Sequence, residues 1–139
     1  MSNSADNNDV VILAAARTPQ GRLNGQLASF TAVELGSHAI RAALAASGVK
    51  ADQVDSVVMG QVLQAGAGQN PARQSAIGAG IGWNVPTVTI NKVCLSGLTA
   101  VIDAARMIRS GDATVVVAGG QESMTRAPHV LPGSRQGWA

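Results

Sequence analysis

From Val10 to Ala118 the chain alternates short apolar runs with longer stretches of helical periodicity. Val10–Ala16 is continuously apolar, the pattern of a strand buried on both faces, and Arg17-Thr18-Pro19 breaks it. Thr31 and Glu34 have capping-box spacing, and Leu35, Ala39, Ile40, Ala43 and Leu44 share one face, so a helix is expected from there to Ser47-Gly48. A second strand is expected within Val54–Leu63, centred on Ser56–Gln61. After the glycine-rich Ala65–Gln69, Asn70-Pro71 supplies an N-cap and first-turn proline for a helix running to Gly78 or Gly80. A β-branched third strand spans Pro86–Asn91. The helix after it puts Leu98, Val101, Ile102, Ala105 and Ile108 on one stripe with Asp103 and Arg106 opposite, and Gly111-Asp112 stops it. Thr114–Ala118 reads as a fourth strand. Such alternation predicts an α/β fold with a mostly parallel sheet and helices on both faces.

Beyond Gly119-Gly120 the periodicity ends, and Gln121–Ala139 carries Pro128 and Pro132. Three regions are therefore expected: a disordered polar leader over 1–9, one α/β domain over 10–120, and an incomplete element over 121–139. The 139 residues suffice for one cored domain. Aromatic residues make up only 2% against 46% hydrophobic, so the core must be aliphatic, with 16 glycines permitting close approach. Charged residues are 13%, about half the usual share, which suggests a surface that another segment or subunit covers.

The net charge of +2 comes from dispersed basic residues with almost no aromatic stacking partners, so nucleic acid is not an expected partner. No run approaches the ~18 apolar residues of a membrane span, and the leader lacks the features of a signal peptide. A cytoplasmic location is expected, and one cysteine excludes an internal disulfide.

That cysteine, Cys94, falls where the third strand gives way to the helix after it. A thiol at a helix N-terminus can be held as the nucleophilic thiolate by unpaired N–H groups and the helix dipole. The alternative is an inert buried cysteine acting as a small hydrophobe. Gly66-x-Gly68-x-x-Pro71 misses a dinucleotide fingerprint by its third glycine and its position, and reads as a loop. A single cysteine and the absence of a His-x-x-x-His pair leave no metal site to expect. His38 reads as a mid-helix packing or surface residue, His129 lies in the aperiodic tail, and Glu122 reads as a solvated loop carboxylate after the fourth strand.

Four segments are more specific: Val11–Pro19, Gly60–Gln74, Val88–Gly97 and Ala118–Thr125. In this order they resemble the opening strand, the second strand and interface loop, the nucleophile segment and the start of the loop domain of the thiolases, closest in style to the acetyl-CoA acetyltransferases. The resemblance implies a thiolase-type N-terminal half, cut at the start of its loop domain. It also implies that Cys94 is the catalytic acyl acceptor in the condensation of two acetyl-CoA molecules to acetoacetyl-CoA and CoA, and in the reverse thiolysis. Its backbone N–H would belong to an oxyanion site. Coenzyme A thioesters would be substrates with no resident cofactor, and the setting would be fatty-acid metabolism. Self-association to a dimer or tetramer is implied as well.

Family members are much longer and draw an activating histidine, a second cysteine and an asparagine-containing motif from a C-terminal half with no counterpart in these residues. The chain by itself is therefore expected to be inactive in condensation and thiolysis. A β-ketoacyl synthase-like fragment, or a non-catalytic interaction piece retaining the fold, is the alternative.

Overall fold

The structure is a computed structural model describing residues 9–137. The expected leader thus lies almost wholly outside the described residues, as do Trp138 and Ala139. The elements are α1 (Ala32–Ser47), β1 (Ser56–Gly60), α2 (Pro71–Gly78), β2 (Thr87–Ile90), α3 (Ser96–Ser110) and β3 (Val116–Gly120), with short one-turn helices between and after them.

The helix ends form where the sequence signals them. At the start of α1 the Glu34 N–H donates to Thr31 Oγ1 (3.2 Å), and the Thr31 N–H donates to Glu34 Oε2 (2.8 Å). These bonds from Thr31, backbone first, hold the Glu34 carboxyl below its ordinary range. Gly48, in the left-handed conformation, ends the helix. Asn70 caps α2 by accepting the Arg73 N–H, with Pro71 at the first position.

The three strands are all parallel, in the order β2-β1-β3. Parallel neighbours need crossover connections, and a right-handed crossover puts its helix on one face according to its direction of travel. From β1 the chain moves one way, through α2, to β2. It then moves back past β1, through α3, to β3. The two helices accordingly cover opposite faces. Val57 and Met59 of β1 join Ile40 of α1 and Ala72 and Ala76 of α2 in one aliphatic core. On the other face Gly60 lies against Ser96 and Gly97 of α3. β1, the central strand, is buried along its whole length.

Two expectations are corrected. Val10–Ala16 is not a strand: Val11, Ile12 and Leu13 are exposed, Ile12 by 79%, and among the described residues nothing pairs with them. Apolar content favours burial, but a strand also needs a partner edge in register, and this run has neither here. The apolar stripe of α3 is likewise not its buried face. Ser96, Ala100 and Ala104 turn inward, while Leu98, Val101 and Ile102 are exposed. A helix lying on Gly60 and Gly120 has room only for small side chains at the contact.

The last strand is displaced by two residues, to Val116–Gly120. Thr114 and Val115 instead donate their N–H groups to Asp55 Oδ2 at 2.8 and 2.9 Å. Among the described residues no helix is long and apolar enough to cross a membrane.

Two outcomes are expected. A Cβ on Gly60 would stand 2.5 Å from the Ser96 carbonyl carbon and 2.7 Å from the Gly97 nitrogen, both backbone atoms that cannot swing aside. Gly60→Ala should therefore cost about 1–3 kcal/mol, the range of core overpacking, in urea unfolding; an unchanged midpoint would refute the close packing. The N–H bonds from Val115 and then Thr114 lower the Asp55 carboxyl below its ordinary range. A carboxyl depressed in the folded state stabilises above its unfolded range, and that contribution disappears as acid protonates it. Asp55→Asn should thus lower stability at neutral pH and flatten the loss of stability on acidification; parallel pH profiles for the two proteins would contradict this.

Candidate active site

In an open α/β sheet, ligands gather beyond the carboxyl ends of adjacent strands whose connections leave toward opposite faces. β1 and β2 are such a pair, because β1 feeds α2 and β2 feeds α3 on the other side. The residues just past them are Gln61 and Val62 on one strand and Asn91 to Leu95 on the other. Cys94 is therefore at the topological switch point.

The turn carrying Cys94 is tightly held. Asn91 Oδ1 accepts the Val93 N–H (2.9 Å), and Asn91 Nδ2 donates to the Val62 carbonyl (3.2 Å). Ser96, buried at the first position of α3, accepts the Lys92 N–H (2.8 Å) and donates to the Val93 carbonyl (2.6 Å). Within this frame Val93 takes a φ of 52°. For a β-branched residue that conformation is strained and persists only where neighbouring bonds impose it. Strand, strained turn, cysteine and helix form an arrangement by which a side chain is pushed clear of a sheet.

Cys94 is a free, exposed thiol. The inert buried alternative is thus removed. The helix begins at Ser96, two residues after Cys94, so the sulfur-bearing residue precedes the first turn rather than belonging to it. The N–H groups of that first turn have no acceptors within the helix and carry the positive end of its dipole. Of these, the Ser96 N–H donates to the Val93 carbonyl at 3.1 Å.

The histidines are not gathered here. His38 is exposed on α1, edge-on to Phe30 with ring centroids 6.2 Å apart, and α1 packs with α2 across the sheet from α3. His129 is exposed in the irregular tail. Glu122 is a correction at the site: rather than a solvated carboxylate, it is half-buried and accepts the Val62 and Leu63 N–H groups at 2.8 and 3.2 Å.

A buried polar chain also runs beneath the strand ends, and nothing in the spacing of its members announces it. Ser75 Oγ donates to Gln121 Oε1 (2.6 Å), Gln121 Nε2 donates to Gln61 Oε1 (2.9 Å), and Gln61 Nε2 donates to the Leu63 carbonyl (2.9 Å). The two glutamines and Ser75 are all buried. The only signal the sequence carries is a glycine-glutamine pair, Gly60-Gln61 and Gly120-Gln121, at or just after two of the expected strands. The glycine-rich loop borders a cleft of about 530 Å³ with Thr31, Glu34, Gln61, Gln74 and Arg126, on the α1 side and away from Cys94.

The family described as "Thiolase, N-terminal domain" matches residues 10–138. The chain belongs to the thiolase family. Among thiolase relatives, the acetyl-CoA acetyltransferase of Cupriavidus necator is 62% identical over 130 residues, which is 94% of this chain and 33% of that protein. The probable acetyl-CoA acetyltransferase of Mycobacterium tuberculosis is 59% identical over 128 residues, covering 92% and 33%. The acetyl-CoA acetyltransferase of Pseudomonas aeruginosa is 57% identical over 129 residues, covering 93% and 33%. The chain spans about a third of the length of these curated relatives.

In this thiolase domain Ser96→Ala removes the acceptor of the Lys92 N–H and the donor to the Val93 carbonyl at a buried position. The expected cost is about 1–3 kcal/mol in urea unfolding. A loss close to zero would mean that the turn does not depend on this hydroxyl.

Proposed function

We propose that this chain is the acyl-accepting part of an acetyl-CoA acetyltransferase, with the Cys94 sulfur as the group that carries the acetyl unit. The observation supporting this most directly is an exposed thiol on a strained turn, at the sheet's switch point and just ahead of a helix start.

The sulfur attacks the thioester carbonyl carbon of acetyl-CoA, forming a C–S bond and a tetrahedral oxyanion. Backbone N–H groups at Cys94 and in the first turn of α3 are suited to meet that charge. Collapse of the intermediate breaks the bond to the coenzyme sulfur, which leaves as a thiolate and takes up from solvent the proton that the Cys94 thiol gave up, and acetyl-Cys94 remains. In the condensation, the α-carbon of a second acetyl-CoA, once deprotonated, attacks this thioester and releases Cys94.

That proton transfer requires a base at the α-carbon. His38 is across the sheet and Glu122 is engaged by two N–H groups, so neither serves. The division of labour is thus acyl acceptance by this chain and proton movement by groups outside it. Residues 121–139, the last two of which lie outside the described residues, are read as the start of the family's loop domain. The exposed Leu98, Val101 and Ile102 suit a surface covered by further polypeptide or by a second copy, hence self-association. The setting of the reaction is cytoplasmic, in fatty-acid metabolism; its partners are CoA and acyl-CoA, without nucleic acid or membrane.

Incubating the chain with acetyl-CoA should add one acetyl group, mapped by mass spectrometry to Cys94 and absent from Cys94→Ser. No acetoacetyl-CoA should accumulate. A folded chain whose Cys94 stays unmodified would contradict acyl acceptance, and sustained CoA-dependent turnover would contradict the division of labour.

A further inference from the structure

We propose that Glu122 is a positioning residue for Cys94, acting through Val62 and Asn91 on the strained turn at Val93. The proposal rests on Cys94 being the acyl acceptor.

The bonds run without a break across the carboxyl ends of all three strands. Glu122 follows β3, whose end is registered on β1 by the Gln121 N–H donating to the Gly60 carbonyl at 2.9 Å. Its Oε2 and Oε1 accept the Val62 and Leu63 N–H groups, fixing the peptide units just past β1. The Val62 carbonyl in turn accepts Asn91 Nδ2, and Asn91 Oδ1 accepts the Val93 N–H. Val93, held at φ 52°, leads directly into Cys94. Only a carboxylate offers two acceptors and no donor to two successive N–H groups, so the residue type matches the task.

The link from Glu122 to Val93 matters because a β-branched residue leaves the left-handed region when its restraints weaken. Release of the turn would move the sulfur from the place the strand-to-helix turn gives it, just ahead of the start of α3. Glycine populates positive φ without restraint. A glycine at 93 should therefore make the turn independent of Glu122, which separates positioning from general support of the fold.

The test measures the rate of Cys94 alkylation by iodoacetamide and hydrogen exchange at the Val93 amide, alongside urea unfolding. Neither site readout requires acyl transfer, so the result stands apart from the fate of the acetyl-CoA reading. Glu122→Gln, which places an amide N–H against a backbone N–H, should slow alkylation roughly five- to tenfold, as release of a strained conformer implies, and should speed exchange at Val93. Glu122→Gln should also lower the urea midpoint, and adding Val93→Gly should restore the alkylation rate while that lowered midpoint persists. Glu122→Ala should behave as Glu122→Gln does. Wild-type alkylation in Glu122→Gln would overturn the proposal, as would failure of Val93→Gly to restore it. A Glu122→Gln chain that does not fold would also overturn it, because Glu122 would then serve the fold as a whole.

Discussion

Three glycines meeting without side chains set the geometry on which the rest of this domain depends. Gly60 ends the central strand, Gly120 ends its neighbour, and Gly97 lies in the first turn of the helix that covers them. A Cβ on Gly120 would approach the Gly97 Cα to 3.3 Å, and one on Gly60 would run into the backbone of Ser96 and Gly97. With no side chains between them, the start of α3 comes down directly onto the carboxyl ends of β1 and β3. The chain from Ile90 to Ser96 accordingly turns sharply, with the Leu95 N–H donating to the Lys92 carbonyl and the Ser96 N–H to the Val93 carbonyl, both at 3.1 Å. The strain at Val93 and the exposure of Cys94 both follow.

The same close approach explains the composition. A helix lying on glycine accepts alanine at its buried positions, as Ala100 and Ala104 show, and rejects the leucine and valine that would otherwise seem its natural core face. On the opposite face the aliphatic core of Val57, Met59, Ile40 and Ile81 is more ordinary. Between the layers, the buried Ser75, Gln61 and Gln121 side chains are all hydrogen-bonded, whereas Thr87 Oγ1 and Thr99 Oγ1 are buried without a partner. Ser75, Gln121 and Gln61 link α2 to both strand ends, and Gly36 in α1 is required because a side chain there would collide with the Gln121 amide. An unsatisfied amide at that depth would cost about 1–3 kcal/mol, so this chain also fixes the orientation of the strand ends from below.

Much of this was legible in the residues. Thr31, Glu34 and Gly48 bound α1, Asn70-Pro71 opens α2, and the β-branched runs mark β1 and β2, because these signals act within a few residues and owe little to tertiary contacts. The position of Cys94 between strand and helix was legible for the same reason. Three features were not. Gly119-Gly120 falls beyond the expected strand end at Ala118 but lies inside β3, since the need for glycine at 120 comes from Gly97, distant in sequence. Glu122 reads as solvated because its two donors arrive from the end of another strand. Val10–Ala16 has the composition of a strand, yet composition cannot supply the pairing edge.

The central claim is that the glycine contact seats Cys94, and two alanine substitutions on opposite faces test it most directly. Gly60→Ala intrudes on α3, whereas a Cβ at Gly119 would meet only the Met59 side chain, at an ordinary 3.6 Å. The measurement is the rate at which iodoacetamide labels Cys94 in each folded variant, relative to the unsubstituted chain. The contact predicts a slowed rate in Gly60→Ala and an unchanged rate in Gly119→Ala. Equal rates in the two variants would show that the placement of Cys94 does not depend on how closely α3 approaches the sheet.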